Sequence, residues 1–121
     1  MGVFIIEKNI MLIPIKSIIM REENFLAKFE PGTSQHSLLI NRIAALRTVC
    51  ALITGEYSPD YGELLFALPR IESILHKMSV ARNKCEPGSR NYKRFDPTVH
   101  LMEEAKALIK RAIEEYRYES L

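Results

Sequence analysis

Apolar residues recur at helical spacing in four segments of the chain, each bounded by turn or capping residues. The first segment is mixed. Two β-branched-rich runs, Val3–Ile6 and Ile10–Ile13, flank Glu7-Lys8-Asn9, and this arrangement allows a short N-terminal β-hairpin. A lone hairpin is marginal in water, so it would need a helix or a second chain against it. From Pro14 the period changes: Ile15, Ile18, Ile19, Leu26 and Phe29 recur at helical spacing, with Pro14 suited to a first turn and Pro31-Gly32 as the stop.

The second segment predicts the clearest helix, with Thr33 or Ser34 as its cap and Gly55 closing it. Leu39, Ile43, Leu46, Cys50 and Ile53 form one stripe, and Leu38, Ala45, Val49 and Leu52 form another beside it. A helix apolar over so wide an arc belongs at the centre of a core or against a partner. The third segment opens at Ser58-Pro59-Asp60 and carries Leu64, Leu68, Ile71, Leu75 and Met78 on one face. Pro69 falls inside that stripe, where it removes a backbone hydrogen bond, so a kink or break is expected at Leu68–Pro69. Residues 82–95 read as a polar loop around Pro87-Gly88-Ser89. The fourth helix is expected to start with Asp96 as N-cap and Pro97 next, and to bury Met102, Ala105, Ile109, Ala112 and Tyr116. The fold class that follows is all-α: an antiparallel four-helix bundle forming a single domain over 1–121, with residues 1–13 as an apolar N-terminal segment.

Composition narrows the class. With 121 residues, 47% apolar, 26% charged, and only 5 Gly and 6 Pro, the chain fits one globular domain and excludes a disordered or collagen-like one. Two cysteines, Cys50 and Cys85, cannot make a disulfide-rich scaffold, and reduced thiols in the cytoplasm are the expectation. Charges at Glu7, Lys8 and Lys16 interrupt the apolar N-terminus below the length of a membrane span and inside what would be a secretory signal's apolar run, so no membrane span is expected there.

Charge patterning adds one feature. Arg82, Lys84, Arg90, Lys93 and Arg94 stand against Glu86 alone, giving +4 over 82–94, while the rest of a chain of net charge +2 carries −2. Tyr92 and Phe95 are interleaved with these cations. Guanidinium and ammonium groups neutralise phosphates and aromatic faces stack on bases, so Arg82, Lys84, Arg90, Tyr92, Lys93 and Arg94 are candidate contacts for nucleic acid or an acidic partner.

The segment Arg94-Phe-Asp-Pro-Thr-Val-His100 resembles the Arg-His motif of HEPN-type ribonucleases, in which four to six residues separate the two. These are small helical proteins that often dimerise. The resemblance implies that Arg94 holds phosphate and that His100 moves protons at the RNA 2′-hydroxyl. It covers seven residues. Phe95 stands where the family has a polar residue, while Arg90-Asn91 supplies an Arg-Asn pair ten residues before the histidine.

No other catalytic pattern is present. His36, His76, His100 and Cys85 have no metal-ligand spacing, the glycines form no phosphate loop, and no cofactor is expected. The twelve apolar residues from Val3 to Met20 exceed what one small bundle is expected to cover, which points to a homo-oligomer or another protein partner. The reading is a cytoplasmic, non-catalytic interaction protein of regulatory, adaptor or immunity type, with the HEPN-like ribonuclease or a nucleic-acid-binding module as the alternative.

Overall fold

The computed structural model describes residues 2–119, with side-chain surroundings from residue 9 onward. Four helices account for nearly all of them: α1 (Gly2–Leu26), α2 (Ser34–Thr54), α3 (Tyr61–Asn83) and α4 (Arg90–Glu119). No strand occurs among the described residues.

The hairpin expected at the N-terminus is replaced by helix, since α1 runs unbroken from Gly2 through Pro14. Strand propensity is a weak preference that packing overrides. Here Met11, Ile15, Ile18 and Ile19 are buried in the common core, which continues the helical period back across Pro14. Pro14 is therefore an interior residue of α1, and the helix ends at Leu26, before Pro31-Gly32. The backbone of 2–8 is helical, and the side chains of Val3–Ile6 lie outside the described residues.

α2 has the expected limits. The Thr33 side chain accepts the His36 N–H at 3.2 Å. At the other end Gly55 takes φ +72°, a left-handed conformation natural to glycine, and its N–H donates to the Ala51 carbonyl at 2.8 Å. Leu39, Ile43, Ala45, Leu46, Val49 and Ala51 are buried on α2. Thr48 is buried with them, and its hydroxyl donates to the Ala44 carbonyl at 3.1 Å.

α3 starts two residues later than Ser58-Pro59 implied. Asp60 is the cap: its carboxylate accepts the Glu63 N–H at 2.7 Å, and the Glu63 carboxylate accepts the Asp60 N–H at 3.1 Å. That reciprocal pair satisfies two helix-start donors at once. The helix then continues without a break through Pro69 to Asn83. Its buried face, Leu64, Ala67, Ile71 and Ile74, leaves Leu68, Leu75 and Met78 half-buried beside it.

The largest correction concerns residues 82–95. α4 begins at Arg90, not after Asp96. Ser89 takes the capping role, its hydroxyl accepting the Tyr92 N–H at 3.2 Å and its carbonyl the Lys93 N–H at 3.0 Å. The polar connection shrinks to residues 84–89, and Pro97 becomes an interior residue of α4. Val99, Met102, Ala105, Ile109 and Ile113 are buried below it.

The helices share one core but not equally. α2 packs against α1, α3 and α4, and α3 packs along α4, whereas α1 makes only slight contact beyond α2. Polar ties reinforce the α3–α4 pair. Lys106 meets Glu72 at 3.2 Å, the rings of Tyr61 and Tyr116 lie 5.7 Å apart, and Arg117 Nε donates to the Tyr61 hydroxyl at 3.2 Å. Between α1 and α2 the Arg47–Glu23 pair, 2.8 Å, is exposed on both sides and adds little.

The α1 geometry has a direct test. On a strand, residues 13 and 15 would share a face; on a helix they stand about 160° apart. Ile15 is fully buried and Ile13 is 78% exposed. Ile15→Ala is expected to cost about 2–4 kcal/mol in chemical denaturation, and Ile13→Ala less than about 0.5 kcal/mol.

Candidate functional site

The basic residues predicted as one loop sit on three elements. Arg82 ends α3, Lys84 lies in the connection, and Arg90, Lys93 and Arg94 occupy the first turns of α4. They do not play one role. Arg82 is largely covered, at 19% side-chain exposure, and its Nη1 donates to Asp96 Oδ1 at 2.8 Å. Its guanidinium also lies 5.6 Å from the centre of the Tyr92 ring, and its Nε donates to Asn83 Oδ1 at 3.2 Å. Arg82 therefore clamps the end of α3 to the start of α4, and Tyr92 has a cation over its ring where a base would stack. Lys84, Arg90, Lys93 and Arg94 are exposed and have no ion pair among the described residues. Arg94 rests 5.7 Å from the ring of its neighbour Phe95.

His100 stands apart from Arg94. Six residues along a helix amount to about 9 Å of rise and about 120° of rotation, which puts the two on different faces. His100 lies between carboxylates, its Nε2 3.3 Å from Asp96 Oδ1 and its Nδ1 3.7 Å from Glu103 Oε1. Asp96 thus serves both Arg82 and His100. The ring is 64% exposed and borders a cleft of about 330 Å³ between α1 and α4. One wall is Ile10, Pro14, Ile18 and Arg21, and the other is Pro97, Leu101 and Glu104. Arg94 does not border this cleft. Within one chain the arginine and the histidine of the HEPN-like pattern therefore do not converge on a common point.

The cleft was not legible beforehand, because it depends on which helices meet. α1 and α4 face each other with Pro14 and Pro97 on opposing walls, and close packing is lacking between them. The available signal was the pair of prolines in the two segments, each placed in a first turn by the sequence reading. The outer face of α1 continues the cleft's apolar lining. Ile10, Ile13 and Met20 recur along it and are all largely exposed.

Cys50 is not set up as a nucleophile. Burial pushes the Cys50 thiol up from its ordinary value, against a smaller opposing effect of Lys16, and a thiol kept protonated is a poor nucleophile. Cys50 and Cys85 are both free. Among the described residues, no three His, Cys, Asp or Glu side chains gather as a metal site would require. α2 has the length and apolarity to cross a membrane. The core helix of a bundle has the same composition, and α2 buries residues against three neighbours.

If Arg82 is a clamp, removing it destabilises the fold, whereas removing Arg94 does not. Arg82→Ala is expected to lower unfolding free energy by about 1–3 kcal/mol, and Arg94→Ala by less than about 0.5 kcal/mol. Equilibrium denaturation of the two variants measures the difference. No family model matches the chain, and no curated protein or solved structure is significantly similar to it.

Proposed function

We propose that the chain is a non-catalytic helical protein of regulatory, adaptor or immunity type, which works by contacting another polypeptide through α1. The observation that carries this reading is the outward face of α1. Ile10, Ile13 and Met20 stay exposed although Met11, Ile15, Ile18 and Ile19 of the same helix are buried. A helix apolar on both faces has one face more than its own core uses. The open α1–α4 cleft runs beside that face.

The first partner in this reading is a second copy of the chain, since a symmetric pairing buries the same stripe on both sides. The four helices are read as an antiparallel bundle with a bend at Pro69. The ties from the start of α3 to the end of α4, and from the end of α3 to the start of α4, support the opposed direction of that pair. The free cysteines are compatible with a reducing, cytoplasmic setting, and no membrane span is part of the proposal.

A second reading has its own support. Lys84, Arg90, Lys93 and Arg94 form a group of unpaired cations at one end of the α3–α4 pair, as a phosphate-contacting surface would. In that reading the contact is nucleic-acid binding without chemistry, because the arginine and histidine of the ribonuclease-like pattern lie on different faces of α4. If it holds, the logarithm of affinity for single-stranded RNA falls against the logarithm of salt with a slope of about −2 to −3.

Sedimentation of the wild-type chain and Ile13→Glu tests the first reading. Removing one such isoleucine from an interface costs about 1.5–3 kcal/mol, and a charge adds to that, so dimer affinity is expected to drop by at least tenfold without loss of helix content. A wild-type chain that stays monomeric throughout the micromolar range contradicts the homodimer.

A further inference from the structure

A second cleft, of about 350 Å³, lies where the last turns of α1 meet the first half of α2, with Lys77 of α3 at its edge. Its lining combines apolar and cationic side chains. Phe25, Phe29 and Leu38 are exposed there, so the wall is apolar and uncovered. Arg21, Arg42 and Lys77 supply three cations, against Glu22 as the one acid of the lining. None of the three has an ion pair among the described residues. Lys28 adds a fourth cation nearby, its Nζ 5.1 Å from the centre of the Phe25 ring.

Arg42 carries the argument further. Its Nε is buried and has no hydrogen-bond partner, although the chain's other buried side-chain nitrogen and oxygen atoms, among the described residues, are satisfied. A buried donor without an acceptor is costly, and a guanidinium more so than a neutral group. An anion seated in the cleft would supply the opposite charge to Arg21, Arg42 and Lys77, while an apolar body behind it would cover the two phenylalanines.

We propose that this cleft binds a small amphipathic carboxylate, an anionic head on an aromatic or short acyl body. The head pairs with Arg42 and Lys77, and the body lies against Phe25, Phe29 and Leu38. A bare inorganic anion leaves the apolar wall in water, and a neutral aromatic leaves the cations of the lining unpaired. The site shares Arg21 with the α1–α4 cleft but includes none of Ile10, Ile13 and Met20, so the inference does not depend on the protein-contact reading.

Calorimetric titration of the full chain with 1-naphthoate, 1-naphthamide and acetate tests it. Naphthoate is expected to bind in the sub-millimolar range, with the amide and acetate each about tenfold or more weaker. Arg42→Gln and Lys77→Gln are each expected to weaken naphthoate by about fivefold to tenfold and leave the amide unchanged, whereas Leu38→Gln weakens both aromatic ligands. Lys77 is exposed, so its variant keeps the test open should Arg42→Gln fail to fold; circular dichroism decides that. The proposal is overturned by naphthoate that does not bind below about 5 mM, by equal affinity for acid and amide, or by folded charge variants that bind naphthoate like the wild type.

Discussion

Everything in this fold depends on α2 being buried from three sides. Its apolar arc is too wide for one neighbour, and the chain solves this by packing α1, α3 and α4 around it. Leu46 and Val49, both fully buried, sit in the middle of that arrangement. Close packing of this kind makes each neighbour's position a consequence of α2's surface. α3 and α4 gain a second source of order from each other, through Ile71, Met102 and Ile109 in the core and through polar ties at both ends.

α1 has no such second anchor. It is held by Met11, Ile15, Ile18 and Ile19 against the common core and makes slight contact beyond α2. Two features follow from that single attachment. The seam between α1 and α4 stays open and forms the cleft beside His100, and the outer face of α1 stays uncovered. The cleft at the other end of α1 arises where its last turns pass over the start of α2. The two clefts and the exposed apolar face thus collect around the helix with the fewest partners, where a contact has the most to add.

Much of this architecture was legible in the sequence. The limits of α2 followed from Thr33 and Gly55, and the stripes on α2, α3 and α4 named most of the core, because a helical period in apolar residues reports directly which face is buried. Two kinds of error have a common cause. Val3–Ile6 and Ile10–Ile13 carry the β-branched content of short strands, and Asp96-Pro97 has the capping chemistry of a helix start. In both places a local preference lost to a continuous helix, held by buried Met11 and Ile15 on either side of Pro14 and, in α4, by the Ser89 cap before Pro97 and the buried Val99 and Met102 after it. Pro14, Pro69 and Pro97 each remove one backbone hydrogen bond, a loss that the packed length of each helix outweighs.

The candidate site was less legible, and for a physical reason. Counting charges along 82–94 located the cations but could not separate Arg82, which the Asp96 carboxylate neutralises, from the four that stay free. Nor could spacing reveal that Arg94 and His100 would share one helix yet face different ways, since the assumed loop between them allowed convergence. Clefts between helices appear only once the helices are placed.

The central claim is that α1 is bound to the rest through one seam and that its other face awaits a partner. Native-state hydrogen exchange at two protein concentrations tests this most directly. The account predicts that at low micromolar concentration the amides of 11–26 exchange through an opening less costly than global unfolding, while α2 to α4 exchange only through global unfolding. At about a hundredfold higher concentration the α1 amides are slowed and the others are unchanged, as pairing covers the exposed face. Amides of α1 protected to the global limit at both concentrations would contradict it.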